Sequence, residues 1–271
     1  MQRSNARGPT KSEACRRIAQ ALNLGLDCFV FADDNPAECS LVRQELPDVA
    51  VVHLGDDPEQ FAAVFDAGYW FDLAAYTPED LGRSAAYTAR ASALAERAEA
   101  TDVDRYLAGL AMKGRLYRPE EGDIARVAQI EQKTNQFNLT TRRYSEAAIR
   151  GFLAREDAVV LAFRLADRFG DHGLVSTLIG FREGDSLRID SWLMSCRVFS
   201  RSAEQYIMGG LVAAARAQGA NGVVGEYLPT AKNDVVAGLY PRLGFAAAGR
   251  GRFVRDCLAP IDDLVTQISV A

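Results

Sequence analysis

Little in this sequence invites a metal or a disulfide. Its two histidines, His53 and His172, stand far apart, and no two of its five cysteines (Cys15, Cys28, Cys39, Cys196, Cys257) are spaced as Cys-x-x-Cys, which excludes the usual zinc patterns. An odd cysteine count without paired spacing also excludes a disulfide framework and fits a reducing cytoplasm. No apolar run approaches the ~20 residues that span a bilayer, and no apolar signal segment opens the chain, so a soluble protein without membrane contact is expected. Acidic residues outnumber basic ones by 36 to 31, a net charge of −5 that argues against general binding of nucleic acid. Neither an internal repeat nor a low-complexity linker is present.

What is there alternates between helix and strand signals, the mark of an α/β chain. Thr10-Lys11-Ser12-Glu13 is a capping box opening a helix with Cys15, Ile18, Ala19 and Leu22 on one face. The run Cys28-Phe-Val-Phe-Ala32 predicts a buried strand, with Cys28 inside it and unreactive. Asp33, Asp34, Asn35 and Pro36 end that strand, where open α/β sheets bind ligands and where Mg²⁺ prefers carboxylate oxygens; an Asp-rich turn is the alternative. Thr77-Pro78-Glu79-Asp80 starts an alanine-rich helix reaching about Ala100, and a second helix covers Asp102 to Leu110. A strand at Met112 to Tyr117 then opens a second region. Further strands are expected at Leu174 to Phe181 and Leu187 to Leu193, joined by an Arg-Glu-Gly-Asp hairpin at 182–185. Ser202 and Gln205 form a capping box for a helix ending at Gly219, and a helix from about Lys232 to Leu243 closes at Gly244. The divisions read from this pass are 1–76, a helical connector at 77–110, and 111–271.

The stretch from Ile189 to Arg197 stands out because Cys196 lies beside Arg197 where a strand hands over to a helix. A nearby guanidinium and a helix N-terminus favour thiolate, the nucleophilic form. A half-buried cysteine acting as a small apolar residue is the plain alternative.

The order of elements after residue 111, with Leu239-Tyr-Pro-Arg-Leu-Gly-Phe245, resembles the GCN5-related N-acetyltransferase (GNAT) superfamily. That resemblance implies a mixed central sheet, acyl transfer, and Tyr240 as general acid to a leaving thiolate. The segment Arg197-Val-Phe-Ser200-Arg-Ser202 departs from the superfamily's pyrophosphate loop, since serines replace its small residues and obstruct close backbone approach to phosphate. The N-terminal part, through Lys11-Ser12, Val30 to Glu38 and Val42 to Pro47, looks like the second half of a haloacid dehalogenase (HAD)-type domain of parallel strands and helices. Together the two parts resemble the FkbH-like glyceryl transferase/phosphatases, with signatures at Asn135 to Tyr144, Arg168 to Leu174, Trp192 to Arg197 and Gly225 to Asn233.

This resemblance implies transfer of a glyceryl unit from a phosphorylated three-carbon donor to the thiol of an acyl carrier protein, in assembly of the polyketide (methoxymalonyl-carrier) kind. It implies Cys196 as covalent carrier, Tyr240 and Glu226 as catalytic partners, and Asn135, Asn138, Thr140, Arg142, Arg143, His172, Asp190, Trp192, Arg197, Arg201, Lys232 and Asn233 around the substrate. At His172 the family usually carries asparagine, and a plain turn residue is the alternative. Lys11 matches the family's phosphate-neutralising lysine, and Asp33 with Asp34 its metal carboxylates. No Asp-x-Asp precedes Lys11, so the attacking carboxylate is missing, phosphatase turnover is not expected, and any Mg²⁺ site is vestigial. Arg142, Arg143, Arg197, Arg201 and the 249–255 segment concentrate positive charge that could steer an acidic carrier protein. Two other readings remain: a coenzyme A-dependent N-acetyltransferase, and a non-catalytic module that docks a carrier protein.

Overall fold

The computed structural model describes residues 10–22, 24–72, 93, 96, 101–199 and 201–271. Contacts divide the chain into two compact units, at Tyr76/Thr77.

In the first unit the capping box forms as its spacing requires. The Glu13 amide donates to Thr10 Oγ1 at 3.2 Å, and the Thr10 amide donates to the Glu13 carboxylate at 2.9 Å, opening α1 (Lys11–Leu22). Strand β1 (Val30–Asp33) pairs in parallel with β2 (Ala50–His53), and between them runs α2 (Pro36–Glu45), capped by the Asn35 side chain on the Ala37 amide with proline at its first turn. Val42, Leu46 and Val49 form a small core. The strand begins two residues later than its apolar run: Leu26–Cys28 is a turn of 3₁₀ helix, and Cys28 is exposed rather than buried. Ile18, expected on the inner face of α1, is half exposed. A short helix, α3 (Phe61–Asp66), follows. Two parallel strands with a crossover helix do not by themselves establish the HAD-type character that the motifs of this part imply.

The expected alanine-rich helix lies outside the described residues apart from Ala93 and Glu96, both helical. The second unit continues with α4 (Val103–Gly109), where Asp102 caps the amides of Asp104 and Arg105. It is built on an eight-stranded mixed sheet in the order β10-β3-β4-β5-β6-β7-β9-β8. The strands are β3 (Lys113–Tyr117), β4 (Ala158–Asp167), β5 (Gly170–Glu183), β6 (Ser186–Met194), β7 (Gly222–Glu226), β8 (Ala246–Ala247), β9 (Arg252–Asp256) and β10 (Ser269–Val270). Helices α5 (Ile124–Lys133) and α6 (Glu146–Leu153) contribute to one apolar cluster with Leu174 and Leu193. Helix α7 (Ala203–Ala217) and the four-residue α8 (Leu239–Arg242) contribute to another, with Ile189, Trp192 and Met194 of β6. Alternate residues of β6 thus serve opposite faces, as the period of a strand demands. The second unit is thus an α/β unit with helices on a mixed sheet, as its element order implies.

Two local expectations change. Ser202 does not cap α7: it is left-handed (φ 54°), and its hydroxyl donates to the Arg201 carbonyl and meets Thr266 Oγ1 at 3.1 Å. The helix expected from Lys232 to Leu243 is broken into a 3₁₀ turn (Asp234–Val236) and α8. Gly238 and Pro241 lie within that span, and both are poor interior helix residues.

Candidate functional site: the seam between β6 and β7

Strands β6 and β7 run parallel and pair only from Ser186↔Gly222 to Arg188↔Val224. Immediately beyond, β6 carries a bulge: Ile179 pairs with Ser191 and Gly180 with Ile189, leaving Asp190 as the extra residue. Bulges sharpen local twist and re-aim a side chain. The segment 138–142 enters the widening seam. Asn138 bridges to Leu193 of β6, and the Leu228 amide, just past β7, donates to the Leu139 carbonyl at 2.8 Å.

Asp190 is the hub of this seam. Its carbonyl accepts from Thr140 Oγ1 at 2.7 Å and from Arg142 Nη1 at 3.0 Å. Its carboxylate pairs with Arg188 at 2.7 Å and Arg142 at 3.1 Å, and accepts from the Tyr144 hydroxyl. Burial, and then the bond to Asp190, push the Tyr144 phenol above its ordinary range. Arg142 reaches across the seam to Glu226 at 3.2 Å. Asn233, buried, ties the segment down by donating to the carbonyls of Asn138 at 2.8 Å and Leu228 at 2.9 Å while its own oxygen accepts from the Thr230 amide. Asn138, Thr140, Arg142, Asp190, Glu226 and Asn233 therefore meet in one place. Exposed Lys232 is the residue just before Asn233. Arg143 turns away from the seam, onto the carbonyls of Glu131, Gln132 and Thr134 and the side chain of Asn135.

Cys196 leaves the end of β6, half-buried, opening a 3₁₀ turn (Cys196–Val198). The α-helix begins only at Ala203, so its N-terminus is not the thiol's immediate neighbour, as the sequence led one to expect. Phe137 packs between Trp192 (centroids 5.6 Å apart) and Phe199 (5.7 Å), which sets the 135–142 segment against the cysteine turn. The backbone of Arg197 lies in that turn, and its side chain is outside the described atoms. Tyr240 is buried on the α7 side of the sheet, its ring 4.9 Å from Phe245 and 5.3 Å from Phe253, and lies so close to β7 that a Cβ on Gly225 would overlap it. Both the Tyr240 hydroxyl and the Trp192 indole nitrogen lack a hydrogen-bond partner among the described residues. Burial raises the Tyr240 pKa, so the phenol keeps its proton at neutral pH.

Other sequence-derived site residues lie elsewhere. His172 and Arg201 are buried together with Asp167 of β4: His172 Nε2 is 3.0 Å from the Asp167 carboxylate and 2.9 Å from an Arg201 nitrogen, and Arg201 also pairs with Asp167. Arg201 is an internal strut and does not meet an outside acidic surface as expected. In the first unit Lys11 sits 3.3 Å from Asp33, whose other oxygen accepts from the Asn35 amide at 2.9 Å. That amide bond, with Lys11, holds the Asp33 carboxyl below its usual range. The Asp34 carbonyl contacts His53 Nε2 at 2.9 Å. Among the described residues no group of three or more metal-ligating side chains forms.

Sequence reasoning missed Glu131, which is fully buried and accepts from Thr177 Oγ1 at 2.8 Å and Ser191 Oγ at 3.0 Å, directly behind the bulge. Burial outweighs those two bonds and pushes its pKa up to about 7. A signal existed: Glu131 continues the Ile124, Val127, Ala128 stripe at helical spacing, a charged residue on an apolar face.

No family model matches the sequence, and no curated protein matches it. Among solved structures, the chain is similar over about half its length to the ribosomal-protein-S18-alanine N-acetyltransferase from Escherichia coli (16% identity, 52% of this chain and 90% of that one, TM-score 0.39). It is similar also to the GNAT domain of S. lividans PAT (14%, 53% and 90%, 0.42) and to Ard1 from Thermoplasma volcanium (16%, 53% and 97%, 0.40).

Proposed function

We propose that the second unit is an acyltransferase that carries a glyceryl group as a thioester on Cys196 and passes it to the phosphopantetheine thiol of an acyl carrier protein. The observation that carries this reading is the position of Cys196 where β6 opens away from β7. Cys39 and Cys257, by contrast, are buried, and burial pushes both thiols up. In the first step the Cys196 sulfur bonds to the acyl carbon of an acyl phosphate, and the carbon–oxygen bond to the leaving phosphate breaks. In the second, the carrier thiol attacks that carbon and the bond to Cys196 breaks. The phenol of Tyr240 is suited to giving a proton to the departing thiolate, and Glu226 to receiving one from the attacking thiol.

A carrier arm is favoured over free coenzyme A by what covers the start of α7. Thr266 Oγ1 donates to the Ser202 carbonyl at 3.2 Å and the Gln267 amide donates to the Ser202 hydroxyl at 3.5 Å, so Ser202, where the superfamily's loop has a small residue, keeps its side chain at the mouth of the helix and engaged with residues 266–267. Because Arg142 and Arg201 are engaged inside the unit, docking of an acidic carrier falls to exposed charge such as Lys232 and Arg250.

Incubation with glyceryl phosphate anhydride, followed by intact-mass measurement and peptide mapping, tests the reading. One acyl adduct is expected, on Cys196, lost in Cys196→Ala without loss of fold. Since Cys28 is exposed, it is the cysteine expected to compete in simple alkylation, yet it should carry no acyl group. An adduct that persists in Cys196→Ala, or that maps to Cys28, would refute the assignment.

A further inference from the structure

The second unit holds a cavity of about 560 Å³ away from the seam, walled by α4, the first turn of α7, α8 and residues 265–267. That volume is far beyond the roughly 30 Å³ share of one water, and of the order of a small-ligand pocket. Its polar wall is dominated by acceptors. The Gln205 side-chain oxygen is buried with no hydrogen-bond partner among the described residues. Glu204, next to it, has its carboxylate met by its own backbone amide; Arg242 acts on it through space, and burial outweighs both and raises its pKa. Asp104 adds a second carboxylate from α4, and Arg242 is the only cation on the wall among the described residues. The remainder is largely apolar, from Leu107, Leu239, Leu243 and Val265.

A buried acceptor without a donor costs free energy, and a carboxylate facing a low-dielectric space costs more. Both penalties vanish if the cavity receives a group that is cationic and rich in N–H. An anion would face two carboxylates against one guanidinium that Glu204 already attracts, and a purely apolar guest would leave the Gln205 oxygen unmet. We infer that this cavity is a binding site for a small amphipathic cation, its ammonium group between Glu204 and the Gln205 side-chain oxygen and its hydrocarbon body against Leu239 and Val265. The site is independent of the acyl-transfer reading: Tyr240, beside Leu239 on α8, packs instead on β7.

Titration calorimetry of the full chain with n-hexylammonium, hexanol and hexanoate decides the matter. Hexylammonium is expected to bind at least about tenfold more tightly than either isostere. Glu204→Gln should weaken it by a similar factor, and Val265→Trp, which fills the cavity, should abolish it. Should Val265→Trp fail to fold, Gln205→Leu serves in its place, with a weakening of severalfold expected. Hexanoate binding as tightly as hexylammonium, no heat with hexylammonium at millimolar concentration, or unchanged affinity in Glu204→Gln each overturns the proposal. Acyl loading on Cys196 is read separately by mass, so the two claims fail independently.

Discussion

Strands β1 and β6 look alike in sequence, each an apolar run ending in an aspartate or passing through one, yet they live in different surroundings. All four residues of β1 are only partly buried, whereas seven of the nine residues of β6 are buried, Ile189 through Met194 without exception. The difference lies in cover. In the second unit the sheet carries helices on two sets of apolar contacts, and in the first a two-stranded pair is served by α2 and a three-residue core. An apolar strand is thus as buried as the layers available to it, and the same composition supports a rigid site in one place and a half-open surface in the other.

Truncating one large side chain from each strand should expose this contrast most strongly. Trp192→Ala removes a fully buried ring and is expected to cost about 3–5 kcal/mol, while Phe31→Ala, half-buried, should cost about half as much. Denaturant unfolding followed by circular dichroism measures both; equal losses would mean that β1 is covered as well as β6.

The next effect belongs to Glu131. Its folded pKa of about 7 lies above its ordinary 4.5, so the folded chain keeps a proton that the unfolded chain has released. The stability contributed by this group is therefore highest below pH 4.5, falls as pH rises toward 7, and is flat beyond, a span of up to about 3 kcal/mol. Glu131→Gln removes that slope. Relative to the parent, it should gain on the order of 3 kcal/mol in unfolding free energy between pH 4.5 and pH 8, and a constant offset across that range would contradict the assignment.

The smallest effect is expected in the first unit, where Lys11 is more than half exposed in its pair with Asp33. Lys11→Ala should lower stability by less than about 1 kcal/mol at low salt and by less still at high salt. A larger loss would show that this pair is held in a far less solvated setting than its exposure implies.

How much of this could be read beforehand follows from distance along the chain. The Thr10 to Glu13 capping box, the hairpin at 182–185 and the start of α4 at Asp102 depend on residues within four positions, and all form. Ser202 carried the same kind of local signal and failed, because Thr266, 64 residues on, claims its hydroxyl. The gathering of Asn138, Arg142, Asp190, Glu226 and Asn233 fell within the motifs carried by the resemblance, but their mutual bonds span 48 to 95 residues and no pattern announces them. Arg201 was misjudged for the same reason, since its partners Asp167 and His172 lie on other strands.

One further consequence concerns the order of assembly. Ser269 and Val270 pair with Lys113 and Gly114, and the Ser269 hydroxyl donates to the Met112 carbonyl across 157 positions. Ile268, buried, lies so close to Gly114 that a Cβ there would overlap it. Closing so long a loop is entropically late, so on a growing polypeptide β3 must wait with one rim bare until residues 269 and 270 have left the exit tunnel. During that interval the rim is open to strands of neighbouring nascent chains, which makes the time taken to synthesise the about 155 residues between the two strands a determinant of how much protein reaches the native state.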